Sequence, residues 1–125
     1  NLPALRRLRE QVENAGRRGK IKAIDGRYLK VRNAHSALNT LLQGAGAIIC
    51  KHWLLRITHR VYNKKLDVKL VASVHDEYQF EVANKDVGEF CSITKIAIKE
   101  TENLLKLRCP LDNDYKVGVT WAETH

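Results

Sequence analysis

The stretch Val74-His75-Asp76-Glu77-Tyr78 most constrains this chain, because an alternating pattern runs into it from both sides. Upstream, Leu66, Val68, Leu70, Ala72 and Val74 recur every second residue; downstream, Tyr78, Phe80 and Val82 do the same, with Gln79 and Glu81 on the other face. That period predicts two strands meeting at the triplet, a β-hairpin over about residues 66–82. A tight hairpin normally turns on Asn-Gly or Asp-Gly, which tolerate positive φ, and His, Asp and Glu are poor substitutes for glycine. Two carboxylates about 4 Å apart also repel by about 4 kcal/mol at an effective dielectric of roughly 20, unless a proton or cation lies beside them. A divalent metal ion would supply that cation. Oxygen ligands with one neighbouring imidazole favour Mg²⁺ or Mn²⁺ over zinc, and Mg²⁺ takes one or two carboxylates while leaving positions to water and phosphate. A charged, solvated loop tip is the competing account.

The rest of the chain narrows the class of protein. Its 125 residues, 44% hydrophobic, suit one domain with a real core. The longest small or apolar run, Gly44 to Cys50, is too short to cross a bilayer, and no signal peptide opens the chain, so a soluble, cytoplasmic protein is expected. Cys50, Cys91 and Cys109 are irregularly spaced and read as reduced and mostly packed. The absence of Met suggests processing, or excision from a longer chain. Charge is unevenly distributed. Residues 1–32 hold ten Lys and Arg against Glu10, Glu13 and Asp25, a local net of +7 within a total of +8. A one-sided basic segment suits a polyanion, with nucleic acid the first candidate, although a solvated basic helix face would look the same.

Helical periods account for most of the remainder. Pro3 opens a helix over about 3–15, with Leu5, Leu8, Val12 and Ala15 as its stripe and Gly16 as its stop. Asp25-Gly26 reads as the two-residue turn of a short basic hairpin from Lys20 to Arg32. A long, largely buried helix is expected over about 34–63. On its polar side His35, Asn39 and Gln43 stand at i, i+4 and i+8, and Gly44 and Gly46 follow, which close approach of another backbone or ligand would justify. A further helix over about 85–107, capped by Asn84, should cover one face of the hairpin sheet. In the tail, 108–125, Asp112-Asn113-Asp114 reads as a turn without the Gly and Glu of a calcium loop, and Val117 to Trp121 as a last strand.

Three motifs in this order, Arg32-x-x-His35-x-x-x-Asn39-x-x-x-Gln43-Gly44, Val74-His75-Asp76-Glu77 and Gly118-x-x-Trp121-x-x-x-His125, resemble the C-terminal portion of DNA polymerase family A. The likeness spans essentially the whole chain. It is greatest to the replicative polymerases of short-tailed bacteriophages, which similarly carry an Ala-Leu-Asn-x-Leu-Leu-Gln run and close on a histidine. The resemblance implies an α+β fold: an antiparallel β-hairpin sheet of the palm packed against long α-helices, as an incomplete domain.

The resemblance also implies roles. Asp76 would be a catalytic, Mg²⁺-binding carboxylate of a two-metal nucleotidyl-transfer site, and Glu77 would support it. His75 would touch the primer strand. Asn39 and Gln43 would check pairing geometry through acceptors that every base pair presents in the minor groove. His35 stands where bacterial members usually carry Arg, and Arg32, with the basic helix and hairpin, would lie near phosphates. Primer-template DNA, deoxynucleoside triphosphates and the remainder of the polymerase chain are the implied partners, and self-association of the fragment is expected from surfaces made for that remainder. The family's second metal-binding Asp and its nucleotide-gripping helix lie outside these residues, so the isolated chain is expected to be inactive. Three rivals remain: a non-catalytic nucleic-acid-binding module, a His-Asp metal phosphohydrolase, and a single-subunit RNA polymerase, which usually carries Ser at the position of Glu77.

Overall fold

The computed structural model describes residues 2–124, which fall into two compact units divided between Lys51 and His52, with one long helix passing from the first into the second. His125, the last residue of the third motif, lies outside the described residues.

In the first unit, α1 (Pro3–Gly16) is followed by the hairpin β1 (Lys20–Lys22) and β2 (Tyr28–Lys30), a 3₁₀ turn (Ala34–Ser36) and the start of α2 (Ala37–Lys64). Its core is Val12, Ile21, Val31 and Ala37, with Ala15, Leu29, Leu38 and Leu41 packed around them. Gly16 does not end α1 through a left-handed backbone. It is the helix's last residue, and a Cβ there would come within 2.7 Å of the Ala37 Cβ, so close packing explains it. The Lys20–Arg32 hairpin has a longer connection than Asp25-Gly26 suggested. Lys22 pairs with Tyr28, and residues 23–27 form the loop, closed by Ala23 N–H donating to Arg27 O (2.8 Å). Asp25 is held inside that loop, accepting from Arg27 Nε at 2.6 Å.

In the second unit, the end of α2 packs with β3 (Val68–Val74), β4 (Glu77–Val82) and α3 (Val87–Leu104) around Ile57, Phe90, Ile93 and Ala97. The fold is α+β, built on two separate two-stranded antiparallel hairpins. Several expectations change here. Helix α2 is not largely buried: Leu42, Leu55 and Tyr62 are exposed, because only one narrow stripe meets a core. Asn84 lies in a 3₁₀ turn and does not cap α3; the residue before α3 is Asp86, and its carboxylate accepts from Asp67 N–H instead (2.9 Å). Both long helices end in the same way. Lys65 and Lys106 take left-handed φ of 54° and 52°, with Leu66 N–H reaching Val61 O and Leu107 N–H reaching Glu102 O.

The expected strand at Val117–Trp121 is absent. Residues 107–120 form no regular element, and α4 (Trp121–Thr124) closes the described chain. Side chains of α3 hold this tail: Lys95 Nζ donates to Asp112 Oδ1 (2.9 Å), and Glu102 Oε2 accepts from Leu111 N–H (2.6 Å). Asp112 and Asn113 are therefore fixed against a helix. Cys109 is exposed and Cys50 and Cys91 half-buried, so the cysteines are less packed than expected. Among the described residues, no helix is long and apolar enough to cross a membrane.

Candidate functional site

The β3–β4 hairpin owes its orientation to a bulge and a row of aromatic rings. Leu70 pairs with Phe80 and Ala72 with Gln79, leaving Val71 as the extra residue. Unbroken alternation would have put Leu70, Ala72 and Val74 on one face. The bulge moves Ala72 and Val74 to the other side, opposite Gln79 and Glu77, and brings Ser73 opposite Tyr78. Tyr78 and Phe80 face the core. Their rings continue a series from Trp53 to Tyr78 (5.6 Å), Tyr78 to Phe80 (6.5 Å) and Phe80 to Phe90 (4.9 Å), within the range of aromatic attraction. Trp53 Nε1 is tied to Thr94 O at 3.0 Å. With that side anchored, Glu77, Gln79 and Glu81 point the opposite way.

The strand reversal is tighter than the triplet suggested. Val74 pairs with Glu77, so His75 and Asp76 alone form the connection and Glu77 is the first residue of β4. His75 carries φ +53°, the conformation for which glycine is preferred. An imidazole has been kept where backbone sterics favour no side chain. His75, Asp76 and Glu77 are all exposed. Glu77 Oε1 accepts from Gln79 Nε2 at 2.9 Å, which orients the carboxylate along its strand. Lys69 and Glu81 pair across the same face at 3.7 Å. Sequence reading missed Gln79 as the orienting donor, although its position two residues after Glu77 was the available signal.

Metal fit follows from this geometry. Among the described residues, no three His, Cys, Asp or Glu side chains converge on one point. Two neighbouring carboxylates at an exposed tip fit Mg²⁺ held largely by water and phosphate, the way this ion is usually bound.

The polar line of the first unit is shorter than the i, i+4, i+8 reading. His35 belongs to the 3₁₀ turn, where Asn33 Oδ1 accepts from Ser36 N–H (2.9 Å), and only Asn39 and Gln43 lie one turn apart on α2. His35 lies near Glu13, whose carboxyl is held low first by its hydrogen bond from Arg9 and to a lesser extent by that imidazole. Arg32, His35, Asn39 and Gln43 are exposed. At Gly44 a Cβ would stand 2.4 Å from Leu29 Cδ1, the end of a side chain that would have to turn aside; Gly46 faces open space.

The sequence pattern of DNA polymerase family A matches residues 5–123. The chain belongs to DNA polymerase family A. It is 33% identical to the DNA-directed DNA polymerase of Enterobacteria phage T3 and 35% identical to that of Escherichia phage T7; each alignment covers all of this chain and 21% of the relative. DNA polymerase I of Geobacillus stearothermophilus is 31% identical over 86% of this chain and 12% of its own length. The POL domain of Pol1 from M. smegmatis, solved in complex with DNA primer-template and dNTP, has the same fold, with a TM-score of 0.72 at 22% identity over 79% of this chain and 20% of that one. The family A chain thus spans about a fifth of the length of the phage relatives.

Proposed function

We propose that this chain is the C-terminal segment of a polymerase catalytic domain, in a DNA-directed DNA polymerase that extends a primer in replication. The observation that carries the proposal is the His75-Asp76-Glu77 reversal, with its left-handed imidazole and exposed carboxylates, within a family match over residues 5–123. Asp76 would be the metal ligand, with Glu77 steadied at its side by Gln79. Two Mg²⁺ ions bound there would lower the pKa of the primer 3′-hydroxyl and neutralise charge on the pyrophosphate leaving group. The second carboxylate ligand would come from the remainder of the polymerase chain. His75 would hold the primer strand near its end, as a donor toward phosphate.

Asn39 and Gln43, a turn apart and uncharged, suit contacts to minor-groove acceptors common to all base pairs, while Arg32 and His35 lie on the same stretch for phosphate contacts. The M. smegmatis relative's complex with primer-template and dNTP supports the same partners here. Work in the host cytoplasm follows from such a role. The exposed Leu42, Leu55, Tyr62 and Val71 are surfaces for the remainder of the polymerase, through which the isolated chain would self-associate.

Primer extension tests the reading. A complete polymerase containing this segment should incorporate nucleotides, and the 125-residue chain alone should not. Incorporation by the isolated chain, or none by the complete one, overturns it.

A further inference from the structure

One side of α2 beyond Trp53 carries charge that neither the core nor the helix end explains. Arg56, His59, Arg60, Asn63 and Lys64 recur at three- and four-residue spacing, so they share a face, and with Glu100 of α3 they line a cavity of about 270 Å³. Glu100 Oε1 accepts from Arg60 Nε at 3.1 Å and also from Nη2, which fixes that guanidinium against α3. Lys64 is paired with Glu89. Asn63 Nδ2 stands 3.4 Å from the ring nitrogens of His59. Arg56 differs from its neighbours: it is half-buried at the cavity, and among the described residues it has neither a hydrogen bond nor an ion pair. Its charge is felt there all the same, since the Glu100 carboxyl is held low first by Arg60 and further by Arg56 and His59. Cations favour a helix C-terminus only within its last turn, which accounts for Lys64 but not for Arg56 or His59.

We propose that this cavity binds a small oxyanion of the phosphate class, with Arg56 as its principal ligand and His59, Asn63 and the Nη1 of Arg60 as further donors. A partly desolvated guanidinium without a partner is costly, and a tetrahedral oxyanion matches its planar fork. Arg56, Arg60 and Lys64 stand against Glu100 and Glu89, so one positive charge is left unmatched. Size and composition then choose among anions. The cavity is smaller than the roughly 300–1,000 Å³ of organic-ligand pockets, and no aromatic ring lines it, so nothing there receives a base or a hydrophobic body. Glu100 on its wall repels a continuous polyanion, whereas a single phosphate can sit on the Arg56 side. The site uses none of the residues assigned to metal, to the primer terminus or to the minor groove.

The test is equilibrium dialysis of the 125-residue chain against labelled inorganic phosphate, in magnesium-free buffer at fixed ionic strength. The parent should bind saturably. Arg56→Gln should weaken binding by about tenfold or more, and Arg56→Lys, which keeps the charge but loses the fork, by less. Asn63→Ala, at an exposed residue, supplies a second loss of about threefold with little risk to the fold. Lys85→Gln removes an exposed charge of the same unit outside the cavity and should bind as the parent does. Displacement of the label by pyrophosphate before glycerol phosphate would support a free inorganic ligand, and the reverse order an organic phosphate; both support the site. Asp76→Asn should leave phosphate binding unchanged, so this inference and the polymerase reading can fail separately. Unchanged binding in Arg56→Gln, an equal loss in Lys85→Gln, or displacement of the label by an oligothymidylate without a terminal phosphate would overturn the proposal.

Discussion

His75→Gly separates what the hairpin tip needs for folding from what it keeps for chemistry. The parent residue holds φ +53° in a two-residue connection and is exposed. A side chain in the left-handed region costs about 1–2 kcal/mol, and histidine lies toward the low end because it visits that region more readily than most. Glycine removes that cost but loses about 0.5–1 kcal/mol more conformational entropy on folding. The balance is a variant about 0.5 kcal/mol more stable than the parent, or equal to it. With a urea dependence of about 2 kcal/mol/M, the midpoint should stay or rise by about 0.3 M. In a complete polymerase the same change should slow primer extension. A midpoint lower by about 0.5 M or more would mean that the imidazole supports the fold, and the argument that function retains it would fail.

Two glycines on α2 should respond differently to alanine. Gly46→Ala enters open space and should gain up to about 1 kcal/mol, whereas Gly44→Ala requires the end of the Leu29 side chain, 2.4 Å away, to turn aside and should gain less, both read from chemical denaturation. Lys65→Gly and Lys106→Gly relieve left-handed φ at the two helix ends, and each should raise stability by up to about 1 kcal/mol, less the lost attraction of the cation to the helix end. Acid should loosen the second unit. Arg60 lowers the Glu100 carboxyl; the Leu111 amide and then Lys99 lower that of Glu102; Lys95 and then the Asn113 amide lower that of Asp112. Each folded pKa lies below its unfolded value, so this stabilisation is complete above about pH 5 and fades as pH falls through about 4 and below. Melting temperature against pH should show that fall, and Glu102→Gln should flatten it.

The sequence made the fold class and the β3–β4 hairpin legible wherever a single period governed a segment. The alternation around Tyr78, Phe80 and Val82 was enough to find β4, because one face of that strand is bound to aromatic rings from two helices. The bulge at Val71 was not legible. A five-member alternation from Leu66 to Val74 looks unbroken until the pairing partner is known, and then its last two members lie on the other face. Local backbone choices also escaped the pattern: Asn33 caps a 3₁₀ turn that takes His35 out of the long helix, and Asp86 lends its carboxylate to another segment's amide. The tail was misread for a related reason. Val117 and Val119 have strand-forming side chains, but no neighbouring strand pairs with them, and Val119 is 95% exposed. At the candidate site, the residue types were legible from the sequence, while the division between a two-residue turn and a strand that begins at Glu77 required the register.

The central claim is that Asp76 works as a metal-binding carboxylate in nucleotidyl transfer. Its most direct measurement is single-turnover primer extension by a complete polymerase carrying Asp76→Asn, beside a duplex-binding control. Loss of several kcal/mol of charge stabilisation predicts a rate lower by about 10³-fold, with primer-template affinity retained. A rate within about tenfold of the parent's would contradict the account.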